Sequence, residues 1–263
     1  MESHISHPLS SKLRKNQNLE DNCKMKNSWL LCDFHIHTNI SDGALSLEDT
    51  VDIYGKHGFD AISITDHIID KFTARERREN GEPLGAIPKE LFQDYLSRLW
   101  KEAGRAYRKY GMIIIPGTEI TNNWGRYHLI GLDIKSYIDP TLPEKEIVSA
   151  LHQQGAVAIA CHPHHKETEG PQQFIHQWEH HEEYRDIFDA WEVANRDDLF
   201  NVIGLKKFNY VANSDFHEPR HIYSWKSLIR AEKNPEAIKI AIKENKEIAI
   251  YLLRKESHER KSN

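Results

Sequence analysis

Short apolar runs rich in β-branched residues alternate along the chain with longer segments whose apolar positions recur at helical spacing. Even the longest runs, such as Met112–Ile115, have the length of strands rather than of membrane spans. The runs predict strands over residues 30–37, 61–66, 112–121, 127–134, 156–161, 190–194, 210–214 and 247–253.

Start and stop signals predict helices between these strands. Ser46–Asp49 resembles a capping box and opens a helix that ends near residues 55–58. Proline starts and glycine stops then bracket residues 88–110 and 143–154, and residues 235–245 form the last helix. Strands that alternate with helices in this way predict an α/β fold with a parallel sheet, either open or closed into a barrel.

Both ends of the chain are polar and lack apolar periodicity. Residues 1–28 are therefore predicted to form a disordered N-terminal extension, and residues 254–263 are predicted to form a polar C-terminal tail. Between them, residues 29–253 contain neither a low-complexity linker nor a repeat, which favours a single domain. Residues 71–110 form a helical insertion after the second predicted strand.

Length and charge narrow the functional classes. The 263 residues suit one α/β barrel or two small domains. Lys and Arg number 35 against 40 Asp and Glu, so the net charge of −5 argues against coating nucleic acid or an anionic membrane by bulk charge. No apolar stretch has membrane-span length, and the N-terminus lacks a signal-peptide core. Three cysteines without a CxxC pair are typical of a reducing compartment, so a cytoplasmic location is expected.

Histidines and carboxylates recur where the predicted strands end or begin. In parallel sheets, loops at the carboxyl ends of strands converge into one site. A single His-x-His step is more often structural than metal-binding, but nine candidate ligands recurring in step with the strands favour a metal site, because buried imidazoles and carboxylates are costly unless paired or metal-bound. These candidates are His35, His37, Asp42, His67, Glu119, His128, His162, Asp215 and His217.

Six short motifs resemble those of the PHP (polymerase and histidinol phosphatase) superfamily. In chain order they are His35-Ile36-His37, Ser41-Asp42-Gly43, Ile64-Thr65-Asp66-His67, Pro116-Gly117-Thr118-Glu119, His162-Pro163 and Ser214-Asp215-Phe216-His217. The resemblance covers roughly residues 30–217. It implies a distorted (βα)7 TIM-like barrel that holds two or three divalent metal ions and hydrolyses phosphate esters by a metal-bound hydroxide.

The resemblance also implies three ligand sets. The first is His35, His37, Glu119 and Asp215; the second is Glu119 as a bridge with His128 and His162; the third is Asp42, His67 and His217. Mixed imidazole and carboxylate ligands suit manganese, zinc or iron. His35, His37, Glu119, Asp215 and His217 are also the expected catalytic residues.

Within this superfamily, the chain most resembles the nucleotide-phosphatase-like branch. The reason is Asp42, because the histidinol-phosphatase-like branch often has His at this position. Members of the nucleotide branch often carry a long insertion between the positions of His128 and His162. Here only 33 residues intervene, and the helical segment 71–110 follows His67 instead.

Three further residues are candidates for substrate binding. Arg126 and Arg220 flank candidate ligands and could hold a phosphate, and His164 follows His162 closely enough to touch substrate. Other chemistry-bearing residues favour simpler interpretations. The basic run 75–78 is expected to form a solvated helix face rather than a lid, and His176 and His180 are expected at the surface. The tryptophans, among them Trp191 and Trp225, are expected in the core rather than as platforms for base stacking.

The sequence therefore predicts a metal-dependent phosphoric ester hydrolase that acts on a small organic phosphate or a nucleotide. One alternative is a nuclease acting on nucleic acid ends, but no basic, aromatic-studded track is evident. Another is a non-catalytic, metal-stabilised PHP module, but such modules have degraded ligand sets and every position is filled here. Nucleic acid would thus enter as substrate only, and no membrane partner is expected.

Overall fold

The computed structural model describes residues 28–163, 176–196, 198–199 and 204–255. The predicted extension, apart from Ser28, and residues 256–263 of the predicted tail lie outside these ranges. The strands are β1 (Trp29–Asp33), β2 (Ala61–Ile62), β3 (His67–Ile69), β4 (Ile113–Ile114), β5 (Gly117–Asn122), β6 (Tyr127–Leu132), β7 (Val157–Ala160), β8 (Ala190–Asn195), β9 (Asp198–Leu199), β10 (Tyr210–Asn213), β11 (Trp225–Arg230) and β12 (Ile248–Leu252). The helices are α1 (Leu47–Lys56), α2 (Lys71–Glu79), α3 (Phe92–Tyr110), α4 (Glu144–Gln153), α5 (His176–Glu179), α6 (His181–Tyr184), α7 (Gly204–Lys207) and α8 (Pro235–Glu244).

The strands form two mixed sheets. One has the order β12-β11-β1-β2-β4 and the other the order β10-β8-β7-β6-β5-β3, with β9 paired to β8. In the second sheet, β6 runs antiparallel to both β5 and β7, whereas the pairs β10–β8, β8–β7 and β5–β3 are parallel. The predicted α/β class is confirmed. Across the described residues, this pairing does not by itself show a closed barrel.

At two places the chain passes directly from a strand of one sheet to a strand of the other. Residues 61–66 supply β2 to the first sheet, and the chain then continues as β3 in the second. The predicted run 112–121 divides in the same way into β4 and β5. An isolated parallel bridge between Ile36 and Phe216 joins the segments that follow β1 and β10. These crossings bring the ends of strands from both sheets to one place.

The predicted helix boundaries are largely confirmed. The Ser46 side chain caps α1 by accepting a hydrogen bond from the Asp49 N–H at 3.1 Å. Gly111 ends α3 in the left-handed conformation, with φ of 63°, which glycine adopts without steric cost. The helical segment 71–110 is two helices, because residues 80–88 contain two glycines and two prolines and do not continue α2. Among the described helices, none is both long and apolar enough to cross a membrane.

The tryptophan expectation is confirmed only in part. Trp191 is buried in β8, where it contacts other aromatic rings of the core. The expectation is wrong for Trp29, Trp100 and Trp124, which are exposed. Trp124 lies in the tight turn between β5 and β6, with 67% of its surface exposed, because a turn of this kind projects away from the core.

Candidate metal centre

The nine candidate ligands converge on one site. Strand pairing sets this convergence, because it places His67 beside Glu119 and Thr121 beside His128. Six of the nine are buried, His67 and His217 are half-buried, and Asp42 is exposed. The structure therefore brings together every ligand position that the sequence predicts.

Glu119 lies at the middle of the site, and its two carboxylate oxygens face different imidazoles. Oε1 lies 2.7 Å from Nδ1 of His128 and 3.2 Å from Nε2 of His162. Oε2 lies 3.2 Å from Nε2 of both His35 and His37, and 3.1 Å from Nδ1 of His67. A carboxylate with this arrangement is suited to bridge two neighbouring cations.

Two other carboxylates complete the cluster. Asp215 Oδ1 lies 3.4 Å from Nε2 of His35 and 3.5 Å from Nε2 of His37. Asp42 Oδ2 lies 3.5 Å from Nε2 of His67 and 3.2 Å from Nε2 of His217. The first contacts join members of the first predicted ligand set, and the second contacts join the whole of the third set.

Distance alone defines three overlapping groups that could each hold an ion. They are His35, Glu119, Cys161 and His162; His37, Asp42, His67 and His217; and His35, His37 and Asp215. Cys161 is an addition to the predicted residues: its Sγ lies 3.5 Å from Glu119 Oε1, and burial raises the pKa of the thiol well above its usual range. His128 falls outside the three groups but contacts Glu119 directly.

The donor set fits a divalent cation. Both ring nitrogens of His37 are buried without a hydrogen-bond partner, although acceptor oxygens lie nearby. Orphaned imidazole nitrogens are costly in the interior, and a coordinated cation would satisfy one of them. Ligands held about 2.1 Å from a tetrahedral or octahedral ion lie about 3.0–3.4 Å apart, which matches the separations within the cluster.

The electrostatics of the cluster favour positive charge. Burial would lower the pKa of His35, but the surrounding carboxylates, Glu192 first, raise it well above its usual range. Burial would likewise raise the pKa of Glu119, but the neighbouring imidazoles, His67 first, hold it well below its usual range. The buried site thus keeps its central carboxylate ionised and raises the pKa of His35, whereas burial lowers the pKa of His128 to about 4.

Two imidazoles are oriented through Nδ1, which leaves Nε2 to face the cluster. His35 Nδ1 lies 3.0 Å from Glu192 Oε1, and His217 Nδ1 lies 3.0 Å from the carbonyl oxygen of Asp215. Outer contacts of this kind fix the tautomer and ring plane of metal-binding histidines.

Glu192 was not predicted from the sequence. It is buried in β8, and both of its oxygens accept hydrogen bonds from groups that shape the site. Oε1 interacts with His35 Nδ1 and accepts from Asn213 Nδ2, while Oε2 accepts from His162 N and Asn195 Nδ2, all at 2.7–3.0 Å. A lone carboxylate within the apolar run Ala190–Ala194 is the signal that could have identified it.

The loop that carries Asp42 is fixed by Asp66. The Asp66 carboxylate accepts hydrogen bonds from Thr38 N at 2.8 Å, Thr38 Oγ1 at 2.8 Å and Ser41 Oγ at 2.6 Å. Burial nevertheless raises the pKa of Asp66. Asp33 performs a similar task beneath the site, since it accepts from Ser214 N at 3.0 Å and from the Tyr54 hydroxyl at 2.8 Å.

Three site residues have left-handed backbones at the ends of strands. The φ angles are 28° for His162, 52° for Arg196 and 49° for Asp215. Such conformations cost a non-glycine residue on the order of 1 kcal/mol or more, and they cluster at functional sites. They follow β7, β8 and β10, and each turns the chain at the same end of the second sheet.

The structure places the predicted substrate-binding residues in different environments. Arg220 is exposed, and its Nε lies 2.8 Å from Glu218, as in a surface ion pair. Arg126 is exposed in the turn between β5 and β6, and His164 lies outside the described residues, as does the His176 side chain. Arg196 was not predicted, yet its Nη2 lies 2.9 Å from Asp215 Oδ2. Its position after β8 gave no distinctive sequence signal.

Comparisons with known proteins bear on the family and the fold. A family model described as PHP domain matches residues 33–253. The fold is similar to that of a two-domain protein from Bacteroides vulgatus that contains a predicted PHP-like metal-dependent phosphoesterase, with a TM-score of 0.62 and 22% sequence identity. The likeness covers 87% of this chain and 66% of that one, so the chain spans slightly less than two thirds of that neighbour. A candidate metal-dependent phosphoesterase from Bifidobacterium adolescentis is similar over 71% of this chain and 87% of its own, with 14% identity and a TM-score of 0.45. No curated protein sequence matches the chain.

Proposed function

The chain belongs to the PHP domain family, and from this we propose that it is a metal-dependent phosphoesterase that hydrolyses an ester of a small organic phosphate or a nucleotide. The observation that carries the proposal is Glu119, whose two oxygens face separate groups of imidazoles within 3.2 Å. The proposed cofactors are two or three divalent ions of manganese, zinc or iron.

The nine converging ligands would hold these ions in the three sets that the sequence predicts. When bound, such ions lower the pKa of a coordinated water and offset charge on the phosphoryl oxygens. Glu119 would cancel part of the positive charge between neighbouring ions, so that a phosphate is attracted without being trapped. Glu192 would keep His35 Nε2 directed into the cluster by holding its Nδ1 at 3.0 Å.

Arg196 is the best-placed cation for orienting the ester. Its guanidinium contacts Asp215 and is partly exposed, so it can hold that carboxylate and still present donors toward solvent. Arg126, Arg220 and His164 remain proposed substrate contacts. Of these, Arg220 would have to break its ion pair with Glu218 before it could bind a phosphate.

We also propose that the two sheets close into a distorted (βα)7 barrel, within a single domain over residues 29–253. Hydrogen bonds between the sheets support closure. Phe34 N donates to Asn213 Oδ1 at 2.8 Å, and Ala212 N donates to Ser227 Oγ at 2.9 Å. The family match over residues 33–253 supports the domain bounds.

The test measures the metal content of the protein and its hydrolysis of a panel of phosphate esters. Protein stripped by a chelator and reconstituted with Mn²⁺ is assayed against phosphomonoesters, cyclic phosphodiesters and short oligonucleotides. We expect hydrolysis only after reconstitution. The double variant His35→Ala, His37→Ala should lose both metal and hydrolysis, because both imidazoles contact Glu119. The matched control is His152→Ala, since His152 is exposed and pairs with Asp189.

Three results would contradict the proposal. Full activity in the double variant would exclude this site. Turnover of oligonucleotides alone would favour a nuclease. Tight metal binding with no hydrolysis of any ester would favour a non-catalytic module.

A further inference from the structure

An exposed pair of aromatic rings lies beside the candidate metal centre. Phe72 in α2 and Trp124 in the β5–β6 turn are 45% and 67% exposed, and their ring centroids lie 5.3 Å apart. Leaving large apolar rings in water forgoes burial free energy, so a contiguous exposed pair is typical of a binding surface.

One buried carboxylate fixes both segments that carry the rings. Asp70 Oδ1 accepts hydrogen bonds from Phe72 N and Thr73 N, each at 2.9 Å. Asp70 Oδ2 accepts from Asn123 N at 3.1 Å, next to Trp124 in the chain. The backbone under the two rings is therefore held in place before any ligand binds, which reduces the entropy lost on binding.

The same segments contact the metal centre. Asn123 Oδ1 lies 3.2 Å from Nε2 of His128, and Asn123 precedes Trp124 directly. On the other side, β3 begins at His67 and leads through Asp70 to Phe72. The rings thus lie at the rim of the cluster, on the side of His67 and His128.

One cation lies at the rings, and a second follows in the same turn. Lys71 Nζ lies 5.1 Å from the centroid of the Phe72 ring, and Arg126 follows Trp124 by two residues in the same turn. Aromatic faces with adjacent cations suit a ligand that carries both a planar ring and negative charge.

We propose that Phe72 and Trp124 determine substrate specificity by stacking on a planar aromatic leaving group of the phosphate ester, such as a nucleobase-bearing alcohol. This inference rests on the proposed phosphoesterase function. The phosphate would lie at the metal cluster while the planar ring lies against the exposed face of Trp124. An ester that lacks the ring would keep the phosphate contacts and lose the stacking.

The test compares two esters that differ only in the ring: adenosine 5′-monophosphate and ribose 5-phosphate. In the native protein, kcat/KM should favour the nucleotide. In Trp124→Ala this preference should fall by about 5- to 150-fold, the range expected for loss of one stacking contact, with ribose 5-phosphate unaffected. Trp124→Phe should retain most of the preference, and Trp100→Ala, which removes an exposed tryptophan from α3, should retain all of it.

A binding measurement separates this inference from the proposed function. Calorimetry on the Mn²⁺-reconstituted protein, with the non-hydrolysable phosphonate analogues of both compounds, gives a Kd for each without turnover. A nucleotide preference that Trp124→Ala abolishes supports the inference even if neither ester is turned over, and in that case only the phosphoesterase proposal fails. Equal affinities for both compounds, or a preference unchanged in Trp124→Ala, would overturn it and leave the rings as a structural contact between α2 and the turn.

Discussion

Replacement of Glu192 by Gln tests how the protein holds its metal ligands. The substitution preserves shape, but the four groups that contact the carboxylate are donors or can act as donors, two at each oxygen. An amide offers only one acceptor oxygen, so its NH2 group must face two donors whichever way it turns. Each buried donor left without an acceptor costs about 1–3 kcal/mol.

We therefore expect Glu192→Gln, with two donors left unpaired, to lower the free energy of unfolding of the metal-free protein by about 2–6 kcal/mol. Because Glu192 also holds Nδ1 of His35, metal affinity should fall about 10- to 100-fold. Urea denaturation gives the first quantity, and competition against a chelator of known affinity gives the second.

The matched control is Glu102→Gln, which alters a buried glutamate on α3 that pairs with Arg105 at 2.6 Å. Metal affinity should be unchanged in this control. If Glu192→Gln binds metal within twofold of the native protein and unfolds at the same urea concentration, the orienting role assigned to Glu192 is refuted.

Three further predictions concern pH, substrate contacts and salt. Burial raises the pKa of Glu144 to about 7 despite a hydrogen bond from Gln177, so the folded state binds more protons than the unfolded state and stability should fall by about 3 kcal/mol between about pH 4.5 and 7. Denaturation across this range should show a smaller fall in Glu144→Gln, and identical profiles would contradict the assignment. Arg196→Ala should lower kcat/KM for a phosphomonoester by more than Arg220→Ala, because Arg196 contacts the proposed ligand Asp215, whereas Arg220 is exposed and pairs with Glu218; equal effects in steady-state kinetics would refute this ranking. Raising salt from ~50 to ~200 mM should weaken substrate binding only modestly, since the net charge is −5; a loss of ~10³–10⁵ would indicate a protein that grips 6–10 phosphates.

The ligand cluster could be predicted because its geometry follows from strand ends. His35 and His37 are separated by one residue after β1, and strand pairing places His67 beside Glu119. Residues of this kind recur at regular points in a pattern of strands, and that regularity is visible in the sequence. The roles of these residues as metal ligands remain proposals.

The residues around the cluster could not be predicted in the same way. Glu192 acts through four partners that come from different parts of the chain, so the lone carboxylate in the run Ala190–Ala194 marks a buried polar residue but not the groups that it holds. Arg196 contacts Asp215 and has a left-handed backbone conformation. Such a conformation is usually predicted from a glycine, and this position has none. Trp124 was assigned to the core because hydrophobicity alone does not distinguish a turn tip from a buried position.

The sheet topology was also only partly predictable. The mixed run Trp225–Arg230 has too many polar residues for an apolar-run criterion, yet it forms β11 between β1 and β12. The bend that divides residues 112–121 between the two sheets, and the one that leads from β2 to β3, depend on packing, which is a tertiary property. The pattern of apolar runs therefore predicted strand positions better than strand partners.

Glu119→Gln tests the central claim most directly, because the two oxygens of Glu119 contact five imidazoles between them. An amide cannot bridge two cations as a carboxylate does. Metal analysis and steady-state hydrolysis on the same reconstituted sample should show loss of at least one ion and a rate drop of roughly 10³-fold or more, about 4 kcal/mol in activation free energy. Turnover close to the native rate, with metal content intact, would contradict the bridging role and with it the proposed centre.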